Sequence, residues 1–245
     1  VTVSIVTWVW DGGRDYAPEH VAVLGRMLAR HMTVPYRLIA IADDIRGDWG
    51  AAEVIETPPA ARALARLETP EKKGFPSSYR RLWMFSREAA ALGPRLMVVD
   101  LDIAVTGDWA PLLDVDVPFI GWRPGQAWPK PSQEIRLAGG QYLLRAGEVT
   151  QVWDRFEGTK SILEARKANY RGSDQAWISY CLAGTAPVWP KGCGIYSIRD
   201  MTRDDRQKRT LAPPADARVV HFNGRGKPWH AATRAQHPWV GKYWK

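Results

Sequence analysis

The sequence predicts an α/β fold built on an open, mostly parallel sheet. Three observations carry that prediction. Apolar runs end abruptly at Gly or Asp clusters. Helix-period segments alternate with those runs in the first third of the chain. With 245 residues, the chain is long enough for one large core. Hydrophobic residues make up 45% and charged residues 24%, values that exclude wholesale disorder.

Residues 3–10 are rich in β-branched and aromatic side chains and read as a buried strand ending at Asp11-Gly12-Gly13. Pro18 suits the first turn of a helix, with Val21, Leu24, Met27, Leu28 and His31 on its inner face and Pro35 as its stop. Residues 37–42 form a continuous apolar run, as for a parallel strand covered on both faces, and end in Asp43-Asp44. A short third strand covers 53–57, before Pro58-Pro59. Residues 60–76 read as a basic, Ala-rich helix and loop. Ser77-Ser78 cap a helix over 79–92, with Leu82, Phe85 and Ala89 inward and Gly93-Pro94 at its end. A buried strand at 95–99 then runs straight into Asp100-Leu101-Asp102.

This order predicts a parallel sheet whose ligands sit beyond the carboxyl ends of the strands, where Asp11, Asp100 and Asp102 lie. The second half is less regular. Strands are expected at 117–121, 140–144 and 218–222, and helices at 147–156 and 173–182. A Pro- and Trp-containing loop spans 122–134.

Lys plus Arg is 34 and Asp plus Glu is 26, a net +8 that favours a polyanionic partner. The 13 Trp residues, often beside Arg or Lys, suit surfaces for sugars, bases or proteins. Cys181 and Cys193 fit no disulfide framework and no zinc or redox spacing, and are expected as reduced thiols. No apolar run approaches the roughly 20 residues needed to span a bilayer. No charged leader precedes the first strand, so a cytoplasmic protein is expected.

Four constellations could carry chemistry. Asp100 and Asp102, where the chain leaves its strand, can approach one hard cation such as Mg²⁺ or Mn²⁺; alternatively they are two solvated acids. His221, leaving a strand, could be a third metal ligand, while Gly224 and Lys227 suit phosphate; the alternative is a basic turn with a buried His. Ser173 is an N-cap candidate, and Asp174 and Gln175 behind it could meet sugar hydroxyls and developing positive charge. Thr7, Trp8 and Trp10, with Tyr16, could form a nucleobase site, or the two Trp could be core.

Taken together, these segments resemble the GT-A glycosyltransferases, especially the glycogenin-like and bacterial galactosyltransferase-like group called family 8. Tyr16 followed by Val23-Leu24-Gly25 resembles that family's first helix with its base-stacking tyrosine. Arg81-Leu82-x-x-Phe85 resembles the K-L-x-x-F helix, with Arg in place of Lys. Val98-Val99-Asp100-Leu101-Asp102 resembles the metal-binding D-x-D, and Asp174-Gln175 the D-Q pair near the donor sugar. Ala138-Gly139-Gly140 stands where the family has N-x-G, without the Asn. His221-Phe222-x-Gly224-x-x-Lys227-Pro228-Trp229 follows H-F-x-G-x-x-K-P-W and is the most diagnostic segment.

The resemblance implies a single GT-A domain over residues 1–245. Residues 1–102 would form the nucleotide-binding half and 103–245 the acceptor half with the metal and phosphate motif. It implies retaining sugar transfer from a nucleotide diphosphate sugar, expected to be UDP-linked, with Mn²⁺ or Mg²⁺ on Asp100, Asp102 and His221. Arg81 and Lys227 would serve the donor, and Asp174 and Gln175 the sugar. The basic, aromatic 122–131 loop and 229–245 tail could accept a glycan by stacking or equally grip a nucleic-acid backbone, and a glycan or small-molecule acceptor is expected. Three rivals remain open at this point: a DNA glycosyltransferase acting on hydroxymethylated bases, a HAD-like phosphatase and a non-catalytic nucleic-acid-binding module.

Overall fold

The computed structural model describes residues 2–10, 16–67, 78–123, 137–182, 184–204, 211–224 and 226–245. In chain order the strands are β1 Val3–Val9, β2 Tyr36–Ala42, β3 Glu53–Glu56, β4 Arg95–Val99, β5 Ile103–Val105, β6 Phe119–Gly121, β7 Gln141–Arg145, β8 Ile195–Ser197 and β9 Val219–His221. The helices are α1 Pro18–His31, α2 Pro59–Ala63, α3 Ala110–Leu113, α4 Gln151–Asp154, α5 Thr159–Lys167, α6 Asp174–Leu182, α7 Ile198–Asp204, α8 Ala231–Gln236 and α9 Val240–Tyr243.

The large sheet has the order β3-β2-β1-β4-β7-β6. Strands β3, β2, β1 and β4 run parallel, and β7 is antiparallel to both β4 and β6. Every residue of β1 is buried, as its unbroken apolar run requires in a sheet covered on both faces. Its side chains alternate between two layers. Val3, Ile5 and Val9 pack with Val21, Leu24, Met27 and Leu28 of α1. Val6, Trp8 and Trp10 pack with Leu82, Trp83 and Phe85 on the other face.

Several elements depart from expectation. Residues 79–92 form two 3-10 segments, Ser78–Phe85 and Glu88–Leu92, in place of one α-helix. Every residue from Tyr79 to Phe85 is buried, so the segment has no solvent face to sustain an amphipathic 3.6 period. The helix expected over 147–156 shrinks to α4, because Gly147 adopts φ 78°, outside the helical region. His31 is half-buried, stacked 6.0 Å from Tyr243.

The strand expected at 218–222 is present as β9, but it belongs to a second sheet, β5-β9-β8, whose β5 and β8 were not legible in the sequence. Its β5 and β9 are antiparallel, and β8 and β9 parallel. Three-residue strands are too short to show a period. Cys181 and Cys193 are free thiols, and burial pushes the Cys181 thiol up to about 12. Among the described residues, no helix is long and apolar enough to cross a membrane.

Candidate active site

Asp100, Leu101 and Asp102 carry the chain from β4 in the large sheet to β5 in the small one. Backbone bonds pin both ends of this crossing. The Asp100 N–H donates to the Gly140 carbonyl at 2.9 Å, and the Phe222 N–H donates to the Asp102 carbonyl at 2.8 Å. In the β5–β9 ladder, Ile103 lies opposite His221. Two motifs distant in sequence thereby become neighbours.

Gly140 stands between their side chains. A Cβ on Gly140 would lie 2.9 Å from Asp100 Oδ2 and 3.5 Å from His221 Nδ1. Both polar atoms therefore border one small space that glycine leaves open. The His221 ring is buried and stacks on Trp122 at 4.4 Å. Its Nε2 lies 2.7 Å from Gln141 Oε1. Burial lowers the His221 pKa to about 4, against an opposing pull from Asp100, so the imidazole is neutral at pH 7. A neutral imidazole is the form that ligates metal.

Cations of the chain itself neutralise the acids. The Nε and Nη2 of Arg81 donate to Asp174 Oδ2 and Oδ1 at 2.8 and 3.0 Å, and its Nη1 pairs with Asp100 Oδ1. Burial opposes the charge on Arg81, but Asp174 and Asp100 outweigh it and raise the pKa. Asp174 is 0% exposed, at the start of α6. Lys227 Nζ pairs with Asp102 Oδ2 in a second buried contact. The same ammonium lies 6.0 Å from the centroid of the Tyr16 ring.

Gly139 brings the two pairs close. A Cβ there would stand 3.1 Å from Arg81 Nη2 and 3.1 Å from the Gln175 Cβ. The Gly139 N–H donates to Gln175 Oε1 at 3.3 Å, which leaves the Nε2 donor of that amide as its other polar group.

The fold thus gathers Asp100, Asp102, His221, Arg81, Lys227, Asp174 and Gln175 around Gly139 and Gly140. Tyr16 joins this group edge-on to Trp229, at 5.7 Å. Gly224 has φ 120° and abuts the Arg199 guanidinium. Thr7, Trp8 and Trp10 lie at the end of β1 and are buried. Trp8 packs in the core, edge-on to Trp83 at 6.5 Å and 3% exposed. Trp10 lies under the Arg80 guanidinium, 4.9 Å from its ring centroid. Asp11, Ser77, Arg225 and nearly all of the 122–134 loop lie outside the described residues.

The sequence reading missed Gln141 and the stacking role of Trp122. A signal for Gln141 was present: it is an amide heading the run Gln-Tyr-Leu-Leu of β7, all four of them buried, where an amide needs a partner.

Sheet order and strand directions give a mixed α/β domain consistent with the GT-A fold of the solved structures that it resembles. Among solved structures, the galactosyltransferase LgtC in complex with donor and acceptor sugar analogues superposes with a TM-score of 0.65 at 17% identity, over 99% of this chain and 96% of its own. An active-site mutant of LgtC gives 0.63 at 18% identity, over 93% and 90%. The glycosyltransferase GlyE of Streptococcus pneumoniae TIGR4, in its apo form, gives 0.63 at 13%, over 94% of this chain and 57% of GlyE. No protein-family model matches the chain, and no curated protein matches its sequence. At these identities the likeness establishes the fold.

Proposed function

We propose that the chain is a metal-dependent, retaining glycosyltransferase that moves a sugar from a UDP-sugar to an acceptor hydroxyl of a glycan or small molecule. The observation that carries this reading is the meeting of Asp100 Oδ2 and His221 Nδ1 at Gly140. A carboxylate oxygen and a neutral imidazole nitrogen suit Mn²⁺, or Mg²⁺ with the oxygen dominant. Among the described residues, no three His, Cys, Asp or Glu side chains are grouped to hold an ion, and Asp102 is paired with Lys227. The donor chemistry of two carboxylates and a neutral imidazole suits such a cation, which would need the Lys227 ammonium to move off Asp102. Asp100, Asp102 and His221 would then hold it, and the cation would offset charge on the diphosphate.

The remaining roles belong to the chain's own groups. Lys227, on a flexible stem beside Tyr16, would place a point charge on the departing diphosphate. Tyr16 would stack the base. Arg81 would serve the donor from a position held by two bonds to Asp174. With both oxygens bonded to Arg81, Asp174 orients that guanidinium and is not a free nucleophile. Gln175 would donate its Nε2 to a sugar hydroxyl. The leaving phosphate oxygen can take the acceptor proton, so no side-chain base is required.

A thermal-shift panel of nucleoside diphosphates with and without Mn²⁺ tests the donor. UDP with Mn²⁺ should raise the Tm more than either alone. No response to that pair, beside a clear response to another nucleotide, would remove the UDP assignment. A mass-shift screen with UDP-glucose, UDP-galactose and UDP-N-acetylglucosamine then identifies the sugar and acceptor.

A further inference from the structure

We infer that Gln141 is a positioning residue for His221: its side-chain carbonyl accepts the Nε2–H of the imidazole and so turns the bare Nδ1 toward Asp100. The inference rests on the proposed metal-binding role of His221 and adds the group that prepares it. A neutral imidazole carries one N–H, so the partner of one ring nitrogen decides what the other can do. Here Nε2 faces Gln141 Oε1 at 2.7 Å, and Nδ1 borders the space shared with Asp100 Oδ2. With the proton on Nε2, the lone pair of Nδ1 faces that space. With the proton on Nδ1, the ring would donate toward the carboxylate and have no lone pair for a cation.

Three features hold this arrangement. Both residues are buried, Gln141 at 0% and His221 at 1% exposure, so water does not compete for the bond. Trp122 stacks on the ring at 4.4 Å and restricts its rotation. Gln141 is paired with Val99 in the β4–β7 ladder, which sets it one residue from Asp100. The amide is also kept at a cost: Gln141 Nε2 has no hydrogen-bond partner among the described residues. A leucine or valine would fit an apolar strand without that penalty. Imidazoles that bind metal generally donate their other N–H to a carbonyl or carboxylate, and loss of such a partner weakens metal binding about 10–100-fold.

The test is nitrogen-15 NMR of histidine-labelled protein without metal at pH 7, with the His221 signal assigned by its loss in His221→Gln. Wild type should show the Nε2–H tautomer, and Gln141→Met should shift toward Nδ1–H. Calorimetric Mn²⁺ binding in saturating UDP should weaken about 10-fold or more in Gln141→Met. Gln141→Glu keeps an acceptor and should recover most of that loss. An Nδ1–H tautomer in wild type overturns the role of Gln141 and leaves the metal reading intact. Unchanged Mn²⁺ affinity in Gln141→Met also overturns it. Failure of wild type to bind Mn²⁺ with UDP overturns both. If Gln141→Met does not fold, the wild-type tautomer decides alone.

Discussion

Lys227 and Asp102 form a buried ion pair, so an ammonium of the chain sits on a carboxylate that the proposed cation would use. The arrangement is asymmetric. Arg81 is anchored twice to Asp174 and spares Asp100 Oδ2, whereas the single ammonium of Lys227 can exchange partners on its long stem. Lys227→Met should therefore bind Mn²⁺ without nucleotide at least about tenfold more tightly, because a charge-assisted hydrogen bond contributes roughly 1.5–3 kcal/mol. The same variant should bind UDP less tightly. Calorimetry checks both, and equal Mn²⁺ affinity in the two proteins would show that the lysine does not compete.

Gly140 should tolerate no side chain. It is not among the glycines with left-handed backbone, so alanine introduces no φ strain. The obstacle is steric: the new Cβ would lie 2.9 Å from Asp100 Oδ2, on a carboxylate that Arg81 holds in place. Gly140→Ala should keep a cooperative melt yet lose the extra stabilisation from UDP with Mn²⁺. A full response in that variant would mean that the space beside Gly140 is not the cation's.

Asp174 and Arg81 form the most buried charge pair of the site, with side-chain exposures of 0% and 10%. Removing one partner of such a pair leaves the other uncompensated. Asp174→Asn should lower unfolding free energy by about 3 kcal/mol or more in urea titrations. Adding Arg81→Met should return part of that loss while activity stays absent. Additive losses in the double variant would show that the two groups do not act as a pair.

His221 makes stability depend on pH. Its pKa falls from 6.5 to about 4 on folding, so below pH 6.5 the unfolded chain binds a proton that the folded one refuses. The contribution is complete above pH 6.5 and is lost as pH falls toward 4. The difference amounts to about 3 kcal/mol near pH 4, by the usual 1.36 kcal/mol per pKa unit. His221→Gln should be less sensitive than wild type over that window in urea midpoints. Parallel pH profiles for the two would show that the ring is not held neutral.

Much of the fold was legible because its early strands and first helix are long. The unbroken burial of β1 and the inner face of α1 follow from patterns of seven and fourteen residues. The 3-10 segment Ser78–Phe85 was misread, since its period is set by contacts on all sides. Asp100, Asp102 and His221 were singled out one by one from their positions at strand ends. Their meeting depends on the β5–β9 ladder, in which each strand has only three residues. Gln141 escaped notice because its partner His221 is eighty residues away along the chain.

The sequence by itself determined where apolar runs stop and which chemical groups stand at those stops, because both are local properties of a few neighbouring residues. The tertiary structure decided the partners: Arg81 between Asp174 and Asp100, Lys227 on Asp102, and Gln141 on His221. The reason is desolvation. Once water is excluded, each charge and each amide must be matched by whatever group the packing brings within reach.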